Sequence, residues 1–408
     1  MKRKKLFDRM KESDFIEAFL YHHSDHASPG TDIDIDEAYV RSRDYSADID
    51  RLDAGDYFFD VPVKKVIPKS LSDKMRTVYC FGGRQKLLLQ AMSYALHDYD
   101  DIFPDCVYSS ILGKNFKEYA LRLRGNKQYG DMYAVKADIS GYGGSIDTDI
   151  LVDKLRDTLA EDPELLKFLI WLLERREFRF EGRLMRGGTS ALQGIPIHNF
   201  FTNLYLLDMD EKIRIMGKEY CRYSDDILVF AEDRDAAEAI MAVIREDTAD
   251  AKLSLNMKKT FIYEPHSRIE HMGICYEDGI VDLSDYSLYK LKRKMRIRTK
   301  RIRRRIEDGD VSPADGAALL TKLNNQTFFG RGDRRELSWS RWLFPILNDC
   351  TGLHKIDLYH QYCLRYILTG NKGDSSYRVR YDELKEHGYL SLVLEYYRWV
   401  NKVKYIQL

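Results

Sequence analysis

The sequence predicts an α+β protein whose C-terminal third is mostly helical. Across residues 61–284, short strand-like apolar runs alternate with segments of helical periodicity. From Tyr286 onward the helical pattern dominates, with breaks at 308–310, 330–333 and 370–374. Hydrophobic residues make up 44% of the 408 residues and the net charge is zero, which excludes disorder as the dominant state.

Basic and acidic residues are equal in number over the whole chain, but they are unevenly distributed along it. The 65 Lys and Arg offset the 65 Asp and Glu, yet residues 290–305 hold eleven basic residues and no acid. Such a segment favours contact with a polyanion.

The longest dense apolar run, Phe168–Leu173, is far shorter than the roughly 20 residues that span a bilayer, so we expect no membrane segment. Because the six cysteines are scattered without a CxxC pair, we expect reduced thiols and a cytoplasmic protein.

The N-terminal elements are the least regular in pattern. The first sixty residues are acidic, and we expect them to be irregular apart from a helix over Ser13–His22. The histidines of His22–His26 could bind a metal, although exposed polar histidines are the commoner interpretation. Val61–Ser70 follows as a strand bounded by prolines, and apolar residues at helical spacing predict a helix over Arg84–His97.

The central region alternates strands and helices. Met132–Ile139 predicts a buried strand that ends in Asp138, and Glu219–Ala231 predicts two strands around a tight polar turn. Thr148 is expected to cap the helix that follows the first strand. The remaining predicted elements are helices from 148 to 159, from 162–163 onward, up to 212 and over 236–245, a strand within 253–265, and a hairpin over 271–281.

Two adjacent carboxylates, Asp225 and Asp226, lie in the tight turn between apolar strands. Paired acids at a hairpin are, taken alone, more often ordinary turn residues. Burying both next to an apolar strand is costly unless cations neutralise them, and hard divalent ions such as Mg²⁺ bind carboxylate oxygens. If the strand that ends in Asp138 is a neighbour in the same sheet, three carboxylates converge. Such a cluster suits two metal ions that clamp the attacking and leaving oxygens in phosphoryl transfer.

Six motifs, in this order and spacing, resemble those of reverse transcriptases over roughly residues 61–284. They are Val66-Ile67-Pro68-Lys69 followed by Arg76 (fingers motif), Asp138 in DISGYGGSID (motif A), Leu192-Gln193-Gly194-Ile195-Pro196 (motif B), Tyr223-Ser224-Asp225-Asp226 (motif C), Leu255–Thr260 (motif D) and His271-Met272-Gly273-Ile274 (motif E).

The resemblance implies a right-hand polymerase with fingers, a palm whose antiparallel sheet is backed by helices, and a mostly helical thumb and C-terminal region. We therefore expect an N-terminal extension over 1–60 and fingers over 61–130 and 151–189. The palm would cover 131–150 and 190–284, and the helical thumb and C-terminal region 285–408.

The resemblance also implies roles for single residues. Asp138, Asp225 and Asp226 would be catalytic and bind Mg²⁺, with Mn²⁺ as the alternative, and Ile139 would add its backbone carbonyl. The nucleotide-binding residues would be Lys69, Arg76, Tyr142, Gly143, Gln193, Gly194 and Lys259. Arg76 is a better candidate than Lys69 because a guanidinium binds phosphate oxygens in a bidentate manner. Lys259 would lie near the pyrophosphate, and a solvated strand lysine is the alternative.

One position departs from the family pattern. Reverse transcriptases usually carry Phe or Tyr five residues after the first metal-binding Asp, packed under the sugar so that it excludes a 2′-hydroxyl. Here that position is Gly143, preceded by Tyr142. We expect Tyr142 to rotate under the ribose and preserve the preference for deoxynucleotides. If it does not, the barrier is absent and RNA synthesis becomes the leading alternative activity.

The basic segment follows motif E directly, where the thumb belongs. Leu291, Met295 and Ile302 form a narrow apolar seam at helical spacing, and the helix has no acids of its own to balance its charge. We expect it to contact a nucleic-acid backbone, and a solvated charged face is the alternative. The residues expected to bind are Lys290, Arg293, Lys294, Arg298, Arg301 and Arg305.

The family members that this chain resembles most are bacterial: retron, group II intron and stand-alone "unknown group" or defence-associated enzymes, the last through the C-terminal pattern from Ser338 to Leu392. The expected function is that of an RNA-directed DNA polymerase. It would copy an associated structured non-coding RNA template into DNA from dNTPs, in antiphage defence and without a membrane partner. The alternatives are a template-independent or protein-primed polymerase, and an RNA-binding subunit that has lost catalysis.

Overall fold

The computed structural model describes residues 3–26, 31–68, 75–187, 191–330 and 338–406. The α-helices in this part of the chain are α1 (Leu6–Arg9), α2 (Ser13–His26), α3 (Ile33–Val40), α4 (Arg43–Asp53), α5 (Gly83–Ala95), α6 (Phe116–Leu123), α7 (Tyr142–Ser145), α8 (Thr148–Thr158), α9 (Pro163–Glu174), α10 (His198–Tyr205), α11 (Leu207–Met216), α12 (Arg234–Asp250), α13 (Asp285–Glu307), α14 (Pro313–Phe329), α15 (Trp339–Leu343), α16 (Thr351–Thr369), α17 (Tyr381–Glu386) and α18 (Leu392–Ile406).

The strands form three sheets. They are β1 (Val63–Pro68), β2 (Met75–Cys80), β3 (Tyr133–Asp138), β4 (Glu177–Phe180), β5 (Arg183–Arg186), β6 (Glu219–Tyr223), β7 (Asp226–Ala231), β8 (Phe261–Tyr263), β9 (Ile269–His271), β10 (Ile274–Glu277) and β11 (Ile280–Leu283). The strand orders are β2-β1-β4-β5, β6-β7-β3-β8 and β11-β10-β9. The predicted α+β class is confirmed.

The helix expected over Ser13–His22 is present as α2. The expectation that the rest of the first sixty residues is irregular is wrong, because its described residues also form α1, α3 and α4. Ser42 caps α4 by accepting a hydrogen bond from the backbone N–H of Tyr45. Tyr45, Ile49 and Leu52 are fully buried on one face of that helix. Their spacing of four and three residues is a helical signal, although the acidic residues between them dilute it.

Other predicted elements match closely. The hairpin around the acidic turn is β6 and β7, and the buried strand before Asp138 is β3. Asp162 caps α9, with Pro163 in its first turn. Asp147, rather than Thr148, caps α8: its carboxylate accepts hydrogen bonds from the backbone N–H groups of Asp149 and Ile150.

The chain divides into two compact units, Met1–Asn115 with Tyr133–Ile262, and Phe116–Met132 with Tyr263–Leu408. The first contains the two four-stranded sheets and a core in which strand β7 is buried from Ile227 to Ala231. In the second, α13 packs against α14 and α16. The unit boundaries differ from the predicted domain boundaries, because 116–130 and 263–284 lie in the second unit. No helix in the described ranges is long and apolar enough to cross a membrane.

Candidate active site

The strand register brings the three predicted carboxylates to one end of a sheet. Strands β3 and β7 pair antiparallel with Asp138 opposite Asp226. Asp225 lies in the turn between β6 and β7, and its backbone carbonyl accepts a hydrogen bond from the backbone N–H of Ile139 at 3.1 Å. The convergence expected from the sequence is therefore present.

Electrostatic repulsion acts within this cluster. Burial raises the pKa of Asp225, and the charges of Asp138 and Asp226 raise it further. Like charges at close range disfavour ionisation of all three groups together. Lys136 lies 4.0 Å from an oxygen of Asp226, which offsets only part of this charge.

Two residues in the segment before β8, Asn256 and Lys259, donate hydrogen bonds to Asp138. The backbone N–H of Asn256 donates to the backbone carbonyl of Asp138 at 2.7 Å, and the Asn256 side-chain amide donates to Oδ1 at 2.9 Å. Lys259 Nζ donates to Oδ2 of the same carboxylate at 2.6 Å. Both carboxylate oxygens of Asp138 therefore have a partner within the protein.

Lys259 is a second cation beside this cluster, and it lies closer to its acid than Lys136 does. Burial lowers the pKa of Lys259, but its hydrogen bond to Asp138 and the charges of Asp138, Asp226 and Asp225 outweigh burial and raise that pKa. The ammonium therefore stays charged at neutral pH. The sequence placed Lys259 near a pyrophosphate or in solvent, and the structure pairs it with Asp138.

The donor set fits a hard divalent cation. Among the described residues, no group of three His, Cys, Asp or Glu side chains is already arranged to hold a metal ion. At Asp138 the two carboxylate oxygens accept hydrogen bonds from Asn256 and Lys259. Three carboxylates that repel one another, with an ammonium group beside them, offer the oxygen ligands that Mg²⁺ prefers.

The acidic turn is anchored from inside the protein. Ser224 has a positive φ of 58°, which is uncommon for a residue with a side chain. Its backbone N–H donates to Ser109 Oγ at 3.0 Å, and Ser109 Oγ donates to Asn203 Oδ1 at 3.0 Å. Arg222 Nη1 donates to the Ser224 carbonyl at 3.3 Å. These contacts hold the backbone that carries Asp225.

Arg222 belongs to a buried ion pair that the sequence reasoning missed. Arg222 and Asp210 both have no exposed surface, and Arg222 Nε lies 2.8 and 2.9 Å from the two Asp210 oxygens. Tyr220 OH donates to the same carboxylate at 2.5 Å. A charged residue within the apolar strand EYCRY was a signal for such a pair, because an arginine buried there needs a partner.

A cavity of about 500 Å³ adjoins Asp225. It brings together most of the residues predicted to bind a nucleotide: Arg76, Tyr142, Gly143, Gln193 and Gly194. Arg76 is exposed at the start of β2. Lys69 lies outside the described residues, and Lys259 is held at Asp138.

Gly194 lets the loop before α10 lie directly against β2. Its φ is 104°, and a Cβ there would lie 2.8 Å from Cβ of Val78. The backbone N–H of Tyr79 donates to the Gln193 carbonyl at 2.7 Å, which ties the two segments together. Only glycine combines this backbone conformation with so close an approach.

Tyr142 is anchored in the core of the first unit. Its hydroxyl donates to the backbone carbonyl of Thr202, the side chain is 3% exposed, and burial raises the pKa of Tyr142. Rotating the ring under a sugar would break this hydrogen bond. The expected role of Tyr142 as a barrier stays a prediction, and the structure gives that rotation an energetic cost.

The basic segment forms α13, and its basic side chains differ in exposure and in contacts. Arg298 Nη1 donates to the Leu323 carbonyl, Asn324 Oδ1 and Thr327 Oγ1 at 2.9–3.0 Å, so Arg298 ties α13 to α14. Lys290 lies over the Tyr286 ring, and Lys290, Arg293 and Lys294 are half-buried. Arg301 and Arg305 are exposed, together with Arg296, Lys300 and Arg304.

The N-terminal histidines do not form a metal site in the described residues. The rings of His22 and His26 stack with centroids 4.2 Å apart, and His23 hydrogen-bonds Asp36 at 2.9 Å. His22 and His26 therefore contact each other, whereas His23 is paired with Asp36.

A family model described as reverse transcriptase (RNA-dependent DNA polymerase) matches residues 51–276, more than half of the chain. The chain belongs to the reverse transcriptase family. Its fold is that of a right-hand polymerase, and members of this family generally use divalent metal ions.

Among solved structures, this reverse transcriptase is similar to apo telomerase from Candida Tropicalis truncated from its C-terminal domain, with 14% identity and a TM-score of 0.44. The similarity covers 55% of each chain, so this protein spans about half the length of that telomerase. No curated protein matches the chain.

Proposed function

We propose that this reverse transcriptase is an active RNA-directed DNA polymerase that binds divalent metal at Asp138, Asp225 and Asp226. The observation that carries the proposal is the register of β3 and β7, which sets Asp138 opposite Asp226 beside the turn that holds Asp225. A protein without catalysis would gain nothing from three mutually repelling acids at one sheet end.

Other residues of the chain bind the nucleotide and position the metal-binding acids. Two bound Mg²⁺ ions would activate the attacking hydroxyl and neutralise the charge on the leaving pyrophosphate. Arg76 binds the triphosphate at the mouth of the 500 Å³ cavity, and Gln193 and Gly194 form the wall against which the nucleotide lies. Lys259 holds Asp138 in place until a metal takes that carboxylate, and Ile139 contributes its backbone carbonyl.

The proposed domains are those expected from the motifs: fingers over 61–130 and 151–189, palm over 131–150 and 190–284, and thumb with the C-terminal region over 285–408. The thumb contacts the duplex of RNA template and DNA product through the exposed side of α13. Arg301 and Arg305 are exposed on that side and supply its positive charge. Phosphate contacts of this kind are insensitive to sequence.

The biological setting that we propose is antiphage defence, in the cytoplasm, with an associated structured non-coding RNA as the template. This part rests on the resemblance of the C-terminal pattern to defence-associated bacterial reverse transcriptases. Sequencing the nucleic acid that copurifies with the protein tests it. A single abundant RNA together with DNA complementary to it is expected, and random cellular RNA contradicts the proposal.

The catalytic proposal is tested with the double substitution Asp225→Asn and Asp226→Asn. Incorporation of dNTPs on an RNA template with a DNA primer should fall to background, while the melting temperature without Mg²⁺ stays equal or rises because like charges are removed. Asp235→Asn, an exposed acid on α12, is the control with the same chemical change and should keep full activity. Activity that survives in the double variant contradicts the assignment of these carboxylates.

A further inference from the structure

The backbone and the side chain of Asp138 both bond to one turn, residues 256–260. The backbone N–H of Asp138 donates to Thr260 Oγ1 at 3.4 Å, and its backbone carbonyl accepts from the backbone N–H of Asn256 at 2.7 Å. Carboxylate Oδ1 accepts from Nδ2 of Asn256 at 2.9 Å, and Oδ2 accepts from Nζ of Lys259 at 2.6 Å. The orientation of this carboxylate therefore depends on the turn as well as on β3.

Asn256 holds the carboxylate through an amide that is itself fixed. Its Oδ1 accepts from the backbone N–H of Lys258 at 3.3 Å, while its Nδ2 donates to Asp138. Turning the amide over would set two oxygens against each other at Asp138 and two N–H groups against each other at Lys258. Because each carboxylate oxygen has two lone pairs, Oδ1 keeps one for a cation while it accepts from Asn256.

Partners that orient a metal ligand without touching the metal contribute strongly to metal affinity. Their loss typically lowers that affinity by about 10–100-fold. Asn256 is a partner of this kind, since it bonds Asp138 at two points and its neutral amide adds no charge to the site. It restricts the carboxylate in advance, so less conformational freedom is lost when a cation binds.

Lys259 bonds the same carboxylate with a positive charge. A divalent ion on Asp138 would bring a second positive charge close to this ammonium group, and like charges repel. The Lys259 side chain is 59% exposed, so water is accessible to the ammonium group if it leaves the carboxylate. Lys259 therefore compensates the charge of Asp138 in the absence of a divalent ion and opposes the binding of one.

We propose that Asn256 and Lys259 are positioning residues that set the affinity of Asp138 for a divalent cation in opposite directions. Asn256 raises the affinity by fixing the carboxylate, and Lys259 lowers it by offering a competing charge. The inference rests on the proposed function, since it takes Asp138 as a metal ligand. It goes beyond that function by assigning control of metal loading to two residues that do not bind the metal themselves.

The test measures metal binding by the full chain without nucleotide or nucleic acid. The melting temperature is followed against Mg²⁺ concentration at constant ionic strength, and the half-saturating concentration is compared between variants. Asn256→Leu is similar in size but lacks the amide, and it should raise that concentration by about tenfold or more. Lys259→Met keeps a long side chain without its charge, and it should lower that concentration by about threefold.

Two matched variants and a second ion control the measurement. Lys258→Met removes the same charge from the adjacent exposed position and should leave the half-saturating concentration unchanged. Lys259→Arg keeps a cation and should not lower it. Electron paramagnetic resonance of Mn²⁺, which detects the unbound ion, repeats the titration without heating. A purely structural role of the turn would lower the melting temperature of Asn256→Leu and Lys259→Met without moving their half-saturating concentrations in opposite directions.

The outcomes separate the two proposals. If the half-saturating concentration stays unchanged in Asn256→Leu or Lys259→Met, or moves in the opposite direction, this inference is wrong. Incorporation of dNTPs by the unchanged protein then leaves the proposed function standing. If the expected shifts appear but no dNTP is incorporated, the inference stands and the proposed function fails. A protein that neither binds these ions nor incorporates dNTPs overturns both.

Discussion

Asp138 is held by two partners within the protein. Lys259 and Asn256 take its two carboxylate oxygens, at 2.6 and 2.9 Å. The arrangement compensates the charge of a buried acid at a point where three adjacent acids repel one another. Under the proposed function, a divalent ion at Asp138 would have to compete with the Lys259 ammonium group.

Gly194 gives the cavity wall a backbone conformation that residues with a side chain rarely adopt. Gly194→Ala should lower the free energy of unfolding by about 1–3 kcal/mol, because φ is 104° and the new Cβ would meet Val78. Urea denaturation measures the change, and KM for dNTP should rise as the wall shifts. Gly144→Ala is the matched control, because its Cβ would meet only Gln193 Oε1 at 3.8 Å. Equal stability of the two variants contradicts the assigned role of Gly194.

Among the elements, the β6–β7 hairpin depends on a polar network beneath it. The acidic turn is exposed to the cavity on one side, while Arg222, Asp210, Asn203 and Ser109 fill the other side with hydrogen bonds. Such a network fixes a backbone more sharply than apolar packing does, provided that every group is paired. The turn can therefore hold Ser224 at a positive φ.

The buried ion pair yields the second prediction. Arg222→Met should cost about 3–5 kcal/mol of stability, because it leaves the Asp210 carboxylate buried without its cation. The double substitution Arg222→Met with Asp210→Leu should recover much of that loss, since two apolar groups replace the pair. Denaturation of Arg222→Met, of Asp210→Leu and of the double variant gives the free energies of unfolding that a double-mutant cycle compares. If the double variant is as unstable as the sum of the single ones, the pair is not coupled as described.

Helix α13 uses its arginines in two ways, and the third prediction separates them. Substituting Arg301 and Arg305 by Gln should weaken binding to RNA–DNA duplexes and flatten the slope of log affinity against log salt by about one unit for each phosphate that is no longer neutralised. Arg298→Gln is the control: it should keep the slope but lower the melting temperature, because Arg298 bonds α14. If the slope is unchanged when Arg301 and Arg305 are substituted, this side of α13 is a solvated charged face that does not contact phosphates.

At the scale of the whole molecule, the sequence predicted the elements that local pattern determines. Apolar runs located β3, β6 and β7, and turn residues located the acidic hairpin. Of the four N-terminal helices, only α2 was predicted. Helix α4 was missed although Tyr45, Ile49 and Leu52 carry the helical spacing, because the acidic residues between them make the segment polar as a whole. Local pattern is a reliable guide only where charge does not obscure it.

Contacts between distant parts of the chain were beyond prediction. Lys259 hydrogen-bonds Asp138, which lies 121 residues earlier in the sequence. Nothing in the motif that contains Lys259 indicates which residue it contacts. The filling of the space at Gly143 by His198 depends in the same way on how α10 packs. The carboxylate cluster could be anticipated only because the motifs resemble a family, since neither strand alone specifies its neighbour.

The most direct test of the account is the sequence of the product that the purified protein makes from a defined RNA. With a primed RNA template, dNTPs and Mg²⁺, the account predicts DNA that is the complement of the template, and none once the metal is chelated. DNA whose sequence does not depend on the RNA would contradict RNA-directed synthesis and favour the template-independent alternative. Absence of any product, with the RNA still bound, would favour an RNA-binding subunit that has lost catalysis.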